Sequence, residues 1–165
     1  MKRTMVVLGL MATACGAPEK PVEPVVVAPV FEAAAPSEGA ALFVRGALHG
    51  DQVELEVWGK QLGAVLGYAF RVRAENATVE SGKAAEALGT DHTIYLAKVS
   101  GPSLAIGAAR EGAVAGERDL SAETLLATVT LKRGEGVSAY SLADTAVRRA
   151  NGDGVVVHVT GGGVR

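Results

Sequence analysis

The chain has 165 residues, a formal net charge of −2 and only 4% aromatic residues. Nucleic-acid-binding domains and proteins held on membranes by charge alone need strongly basic surfaces, so the weakly acidic balance argues against both classes. A folded part of about 120–130 residues can bury about two thirds of its surface. The composition therefore predicts a domain with a core of Val, Leu, Ala and Ile that needs no disulfide.

The N-terminus begins with a short basic end and continues with an apolar run. Lys2 and Arg3 are basic, and Met5–Ala14 is apolar and ends in small residues. This run is about half of the roughly 20 residues that a membrane-spanning helix needs. The organisation is typical of a signal peptide that is removed after export, and predicts residues 1–14 as that peptide. Loss of the two basic residues changes the formal charge of the chain from −2 to −4.

The chain contains a single cysteine, directly after this apolar run. The sequence Ala12-Thr13-Ala14-Cys15 resembles the bacterial lipobox, which implies that Cys15 carries a lipid. A lone cysteine cannot form an internal disulfide, although an ordinary signal peptide followed by an incidental cysteine is the alternative. Several acyl chains, each contributing about 0.8 kcal/mol per buried CH₂, would give a durable anchor. We therefore expect a lipoprotein of the bacterial cell envelope that faces the periplasm or the cell exterior.

The segment after the cysteine is rich in proline. Residues 16–39 contain five of the six prolines in the chain. Proline has no amide hydrogen and a fixed φ, so this segment is predicted to form neither a helix nor a central strand. Val25–Val27 could form an edge strand, but prolines on both sides argue against it. We predict a semi-extended tether over residues 15–39 and a folded domain over residues 40–165.

From residue 41 onwards the sequence changes to many short β segments. They alternate apolar and polar residues or are bounded by turn residues such as Gly101-Pro102. A period of two over this length is typical of half-buried strands. The nine predicted strands are Ala41–Leu48, Gln52–Trp58, Gly67–Arg73, Ala77–Glu80, Thr93–Val99, Ser103–Ala108, Thr124–Lys132, Ala139–Val147 and Val155–Thr160.

The alternation also predicts which side chains face the core. The predicted core residues are Val53, Leu55 and Val57, then Tyr68, Phe70 and Val72, then Leu125, Ala127, Val129 and Leu131. Only Lys83–Leu88 and Ser121–Glu123 indicate helix, and for one or two turns at most. Because no long helix is available for parallel crossovers, the sequence predicts an all-β, antiparallel sandwich of about nine strands.

Three stretches of the sequence resemble cohesin domains, and together they span about residues 41–162. They are QVELEVWGK with LGAVLGYAFRVRAENATVESG, then SLAIGAAREG with ETLLATVTLKRGEG, and then SLADTAVRRANGDGVVVHVTGG. The resemblance implies a nine-stranded jelly-roll sandwich and a non-catalytic binding role. Cohesins receive dockerin modules on one sheet face, and related sandwiches bind carbohydrate. The resemblance carries over no individual contact residue to this chain.

No group of residues in the sequence has the pattern of a catalytic or metal centre. The chain has no G-x-S-x-G motif, and its three histidines, His49, His92 and His158, are far apart without metal-ligand spacing. His158 alternates with Val157 and Val159 and is predicted to face outward. We therefore predict a protein that is not an enzyme, with no catalytic residue, metal or cofactor.

Three loop segments have a simpler interpretation as turns or solvated chain. Asn151–Gly154 has a mild resemblance to calcium loops but lacks their later ligands, and Asn-Gly between strands is a strong hairpin signal. Gly161–Gly163 is predicted to be a flexible end. The third segment, between two predicted strands, could hold paired carboxylates, although a solvated loop is favoured. Its acidic residues are Glu111, Glu117, Asp119 and Glu123.

Trp58 is the only tryptophan and the one candidate binding residue that the sequence singles out. Strand parity places it with Glu54 and Glu56, where an exposed indole could stack on a sugar ring or anchor a protein interface. Alternatively, the strand ends at Gly59 and Trp58 folds under a loop to fill the end of the core, which the sequence favours.

The function predicted from the sequence is that of a lipid-anchored binding module outside the cytoplasm. Its partner is predicted to be a protein, either a dockerin-like module or another surface protein. The alternative partner is a polysaccharide, and nucleic acid is not expected. The scarcity of aromatic residues favours the protein.

Overall fold

The computed structural model describes residues 28–165. The predicted signal peptide and Cys15 therefore lie outside the described residues. No helix among residues 28–165 is long and apolar enough to cross a membrane. The elements are β1 (Phe31–Ala33), β2 (Ala41–His49), β3 (Gln52–Lys60), β4 (Ala64–Val65), β5 (Gly67–Glu75), β6 (Ala77–Ala84), β7 (Thr93–Ser100), β8 (Ser103–Arg110), α1 (Gly112–Ala115), β9 (Arg118–Asp119), β10 (Thr124–Arg133), β11 (Ser138–Arg148), β12 (His158–Val159) and β13 (Gly162–Val164).

Two sheets form a sandwich, as the alternation predicts. One sheet has six strands in the order β1-β13-β11-β5-β8-β7, and the other has five in the order β12-β2-β3-β10-β6. Neighbouring strands are antiparallel except β12, which lies parallel to β2. The short strands β4 and β9 form a separate pair. The nine predicted strands all contain strand residues, and the all-β antiparallel prediction is confirmed.

The core lies between the two sheets and consists mainly of aliphatic side chains. The predicted core residues of β3 and β5 are all buried, because each strand alternates strictly between the core and the outer face of its sheet. Tyr68 extends from β5 across the core, where its hydroxyl donates a hydrogen bond to the Leu126 carbonyl at 3.0 Å. This bond ties the two sheets together.

A β-bulge in β10 changes the predicted phase of this strand. The register shifts between Leu125 and Ala127, so that Leu126 and Ala127 are both buried. Leu125 instead lies opposite Trp58 on the outer face, and its predicted core position is wrong. Beyond the bulge the prediction is confirmed, with Val129 only 2% exposed. An extra residue in one strand shifts which side chains face the core, and alternation alone does not reveal where this happens.

The folded part begins earlier than the predicted boundary at residue 40. Strand β1 lies within the predicted tether and pairs with β13, and Val30 exchanges backbone hydrogen bonds with Arg165. The Phe31 ring stacks on Tyr140 with 6.0 Å between ring centroids. One apolar aromatic side chain therefore holds this short strand at the sheet edge, although prolines flank the segment.

The C-terminal glycines do not form a flexible end, which corrects that prediction. Gly162 lies in β13, between β1 and β11. A Cβ atom on Gly162 would lie 2.9 Å from Cζ of Phe31, and one on Gly46 would lie 2.6 Å from Cε2 of the same ring. Absence of side chains at these two positions is what allows Phe31 to dock.

Three further predictions need correction. Strand structure in Val155–Thr160 is confined to β12, because the chain crosses to the edge of the five-stranded sheet after a turn in which Arg148 and Gly154 form an isolated bridge. Lys83–Leu88 is not helical: its first two residues end β6, and Leu88 is fully buried. Ser121–Glu123 is also irregular, and α1, the one helical turn among residues 28–165, was not predicted.

Candidate binding surface

The outer face of the six-stranded sheet has an unusually smooth centre. Strand register places small residues next to one another on β5, β8 and β11. The residues that alternate with them along each strand, such as Phe70 and Ile106, point into the core. We call this patch the small-residue floor, and its members are Gly67, Ala69, Ala105, Gly107, Ala109, Ala143 and Ala146.

Two large aliphatic side chains border the floor on the edge strand β7. Ile94 is 67% exposed and Leu96 is 60% exposed, and they lie in register with Ala109 and Gly107. Leu96 also lines a shallow depression over the floor together with Ala69. Exposed aliphatic side chains beside a flat apolar floor are typical of surfaces that contact other proteins.

The same face carries a group of cations, two of which contact the carboxylate of Asp144. Arg71 donates from Nε to Oδ2 of Asp144 at 2.9 Å, and Nη2 of Arg73 lies 3.6 Å from the same oxygen. Within residues 28–165, Lys98 forms no ion pair. Asp144 lies at a bulge between Ala143 and Ala146 and has a φ of 50°, in the left-handed region. Bulges and left-handed non-glycine residues are enriched at functional sites.

The outer face of the five-stranded sheet differs, because it is mainly polar and some of its charged side chains pair with one another or with neighbouring loops. The depression over this face is lined mainly by polar and charged side chains from β2, β3, β6 and β10. The pairs are Arg45 with Glu123 at 2.6 Å, Lys132 with Asp51 at 3.5 Å and His49 with Glu54 at 3.9 Å. All three pairs are exposed, so each contributes little to stability. Within residues 28–165, Lys60 and Lys83 of this face form no ion pair.

Trp58 lies on this five-stranded face, as strand parity indicates, and does not fill the end of the core. Its indole Nε1 donates to Oε2 of Glu56 at 2.9 Å. The Arg45 guanidinium carbon lies 4.6 Å from the indole centroid and 5.2 Å from that of Phe43, the residue opposite Trp58. Because Arg45 stacks on the indole, that ring face is covered, which does not favour the stacking of a sugar ring.

No family model and no curated protein sequence matches the chain. Cohesin modules are among the solved structures that share its architecture. A non-cellulosomal cohesin from the archaeon Archaeoglobus fulgidus superposes with a TM-score of 0.56 at 17% identity, covering 72% of this chain and 84% of that one. The cohesin module of a family 33 glycoside hydrolase from Clostridium perfringens gives a TM-score of 0.58 at 12% identity, covering 77% and 96%.

A third structure is a type I cohesin–dockerin complex from Clostridium thermocellum. It matches with a TM-score of 0.55 at 15% identity, covering 74% of this chain and 95% of that one. The described part of the chain has a cohesin-like fold. The resemblance found in the sequence is thereby confirmed at the level of fold. At these identities the comparison establishes the fold alone.

The histidines of the cohesin-like domain lie apart from one another. His158 is exposed on β12, and Nδ1 of His92 lies 3.3 Å from Oε2 of Glu111. His49 lies at the far end of β2. Among residues 28–165, no three His, Cys, Asp or Glu side chains are grouped so that they could hold a metal ion.

The loop carboxylates of the cohesin-like domain accept hydrogen bonds from different groups. Glu117 accepts a hydrogen bond from the Ala150 amide at 2.7 Å, and Asp119 accepts one from the Ser121 amide at 3.0 Å. Asn151–Gly154 forms the predicted turn, in which the Asp153 amide donates to the Asn151 side chain at 3.0 Å. The acidic loop residues therefore stabilise turns and accept hydrogen bonds from backbone amides of neighbouring segments.

Sequence reasoning singled out Trp58 and missed the residues of the six-stranded face. One signal was present: Thr93–Val99 is apolar on both sides, with Ile94 and Leu96 on one and Tyr95 on the other. An antiparallel edge strand with a solvated outer side is expected to alternate instead. Asp144 gave no signal, because its position depends on a bulge.

Proposed function

We propose that the cohesin-like domain is a non-catalytic module that binds a protein partner on the outer face of its six-stranded sheet. The observation that carries this proposal is the small-residue floor, bordered by Ile94 and Leu96 and by cations that the domain pairs only in part. A flat apolar surface of this kind suits a protein better than a small molecule, because small ligands need concave sites that bury most of their surface.

The solved relatives support a protein ligand. Among them, cohesins of Clostridium thermocellum and of Clostridium acetobutylicum were determined in complex with dockerins. Because one fold can support many functions, the surface of this chain decides which face binds. The five-stranded face, which is mainly polar and whose tryptophan is covered by Arg45, is the less suitable surface.

A pair of matched substitutions tests which face binds. Ala69 and Ala47 are both exposed on strands, the first at the small-residue floor and the second on the five-stranded face. Tyrosine is favoured in strands, so Ala69→Tyr and Ala47→Tyr are expected to fold while each adds bulk to one face.

The tagged full-length chain, extracted in detergent, is used to capture proteins from the cell envelope of its source. We expect Ala69→Tyr to abolish the specifically captured protein and Ala47→Tyr to retain it. Loss of capture with Ala47→Tyr alone would place binding on the other face and contradict the proposal.

We further propose that the module is held outside the cytoplasm by a lipid on Cys15. Among residues 28–165, Val30 is the most N-terminal residue with a backbone hydrogen bond. About 15 residues lie between it and the anchor, and an extended chain of that length reaches at most about 50 Å. Cys15→Ala should release the protein from the detergent-extracted membrane fraction. If that variant stays in the membrane fraction at unchanged length, the anchor proposal is wrong.

A further inference from the structure

We infer that the protein partner presents an acidic segment with apolar neighbours to the six-stranded face, and that Arg71, Arg73 and Lys98 select it. This inference rests on the proposed function, since it names the chemistry of the partner that the face binds. It is carried by the placement of these three cations around the small-residue floor.

Strand register brings the three cations to one place. Lys98, Ala105 and Arg71 lie side by side on β7, β8 and β5. With strands about 4.8 Å apart, the Cα atoms of Lys98 and Arg71 are separated by roughly 10 Å. Arg73 is two residues along β5 on the same side, roughly 7 Å from Arg71. Ala105 therefore lies at the centre of a shallow, positively charged surface.

Only part of this charge is neutralised by the domain. Asp144 contacts both arginines, and within residues 28–165 it is the one acidic residue that forms an ion pair with either. The same side also carries Arg148, opposite Gly67, and Glu75, two residues beyond Arg73. Four cations and two carboxylates still leave a local excess of positive charge on a chain whose net charge is −2. Arg71 uses Nε for Asp144, and its remaining N–H groups can donate to a carboxylate of a partner.

The surroundings favour an acidic protein segment over a polyanion. Ile94 and Leu96 lie beside the cations and offer apolar contacts that a nucleic acid backbone or a lipid headgroup layer would not use. Asp144 is 57% exposed and lies beside the two arginines, so a continuous array of phosphates would meet it directly. A peptide can place a carboxylate at Arg73 or Lys98 and an apolar side chain over the floor.

Selection from a defined peptide library tests this inference. A phage-displayed library of random 16-residue peptides is selected against the full-length chain in detergent micelles. Peptides that also bind the Ala69→Tyr variant are removed, which leaves those that bind the six-stranded face. We expect the remaining pool to be enriched in Asp and Glu together with aliphatic or aromatic residues.

Charge reversal then identifies the selecting residues. The double variant Arg71→Glu with Arg73→Glu should lower the affinity of the enriched peptides at least about tenfold and should select basic peptides instead. The control reverses two cations of the other face, Lys83→Glu with Lys132→Glu, and should leave the affinity unchanged. Urea unfolding of each variant verifies that it is folded.

The outcomes separate this inference from the proposed function. If all selected peptides also bind the Ala69→Tyr variant, so that no face-specific pool remains, the six-stranded face is not the binding face, and both proposals fail. If a face-specific pool is obtained but is neutral or basic, only the acidic-partner inference is overturned. Binding to phosphatidylglycerol vesicles that is lost with the Arg71 and Arg73 reversal would replace the protein segment with a lipid surface and would also overturn it.

Discussion

The two outer faces of this sandwich are built by the same strand alternation but differ in how their polar groups are used. On the five-stranded face, Arg45 stacks on Trp58 and pairs with Glu123. The charge of Arg45 is therefore paired, and one face of the indole is covered. On the six-stranded face, a floor of Ala and Gly is bordered by exposed Ile94 and Leu96. Exposed aliphatic side chains beside a flat floor therefore mark the candidate interface here, whereas the tryptophan of the other face is covered and gives a misleading signal.

The largest expected effect on stability is that of a substitution on the inner side of β10 in the five-stranded sheet. Val129 lies in the core, whereas Thr128 lies on the outer face between Glu56 and Lys83. Val129→Asp would bury a carboxylate without a partner and should cost several kcal/mol, a large part of the roughly 5–15 kcal/mol of a typical domain. Urea unfolding monitored by circular dichroism measures this loss.

The matched change on the outer side is the control. Thr128→Asp should alter the free energy of unfolding by no more than about 1 kcal/mol, because its side chain is partly solvated. Equal costs for the two variants would show that the inner and outer sides of β10 are wrongly assigned.

The next effect concerns the edge at which the six-stranded sheet meets the N-terminal segment. Phe31 packs on Tyr140 and over Gly46, so it connects β1 with both sheets. Phe31→Ala should cost about 2–3 kcal/mol, less than a fully buried phenylalanine, because the ring is partly exposed. Glu32→Ala, an exposed neighbour on the same strand, should cost under about 0.5 kcal/mol. Similar unfolding midpoints for both variants would show that β1 is not part of the cooperative fold.

These two regions also show what the sequence could predict. Regular alternation in Gln52–Trp58 and Gly67–Arg73 correctly identified their core residues, because uninterrupted strands preserve the period of two. A bulge in β10 reversed Leu125, and a bulge in β11 placed Asp144 among the arginines. Such irregularities depend on the partner strand and are not encoded in the local pattern.

The ends of the domain were predicted least well for a different reason. Gly161–Gly163 and Phe31–Ala33 have compositions typical of loops, and their strands form through pairing with distant segments, β13 with β1 and β11, and β1 with β13. Trp58 was placed on the correct face by parity, but its neighbours came from β2 and from the loop that holds Glu123. Contacts between residues far apart in sequence therefore decided which face is available.

A smaller effect tests the hydrogen bond that joins the two sheets. Burial raises the pKa of Tyr68 above its ordinary value of 10.0. Since the neutral phenol is favoured in the folded state, its contribution is complete below about pH 10 and is lost as the pH rises further. Tyr68→Phe should cost about 1 kcal/mol at pH 7, because the Leu126 carbonyl keeps the Ala85 amide as a partner.

The same variant should also lose stability less steeply than the wild type above pH 10. Burial raises the pKa of Tyr95 and Tyr140 as well, so a residual slope is expected. Unfolding curves recorded at pH 8 to 11 compare the two slopes, and identical slopes would show that Tyr68 is not buried as described.

The smallest expected effect on stability is that of a substitution on the five-stranded face. Arg45→Ala removes the cation from Trp58 and the ion pair with Glu123, and should cost no more than about 1 kcal/mol. It should expose the indole and shift its fluorescence, which is specific because Trp58 is the only tryptophan. Capture of the protein partner should be unchanged. Weaker capture, or a fluorescence change on addition of polysaccharide to this variant, would move the binding site to this face.

Hydrogen–deuterium exchange tests the central claim most directly. The full-length chain is compared alone and in complex with the protein that it captures from its cell envelope. We predict that the complex slows amide exchange in β5, β7 and β8, around Ala69, Leu96 and Ala105, and leaves exchange in β2, β3 and β10 unchanged. Slowed exchange confined to β2, β3 and β10, around Arg45 and Trp58, would contradict the assignment of the six-stranded face as the binding surface.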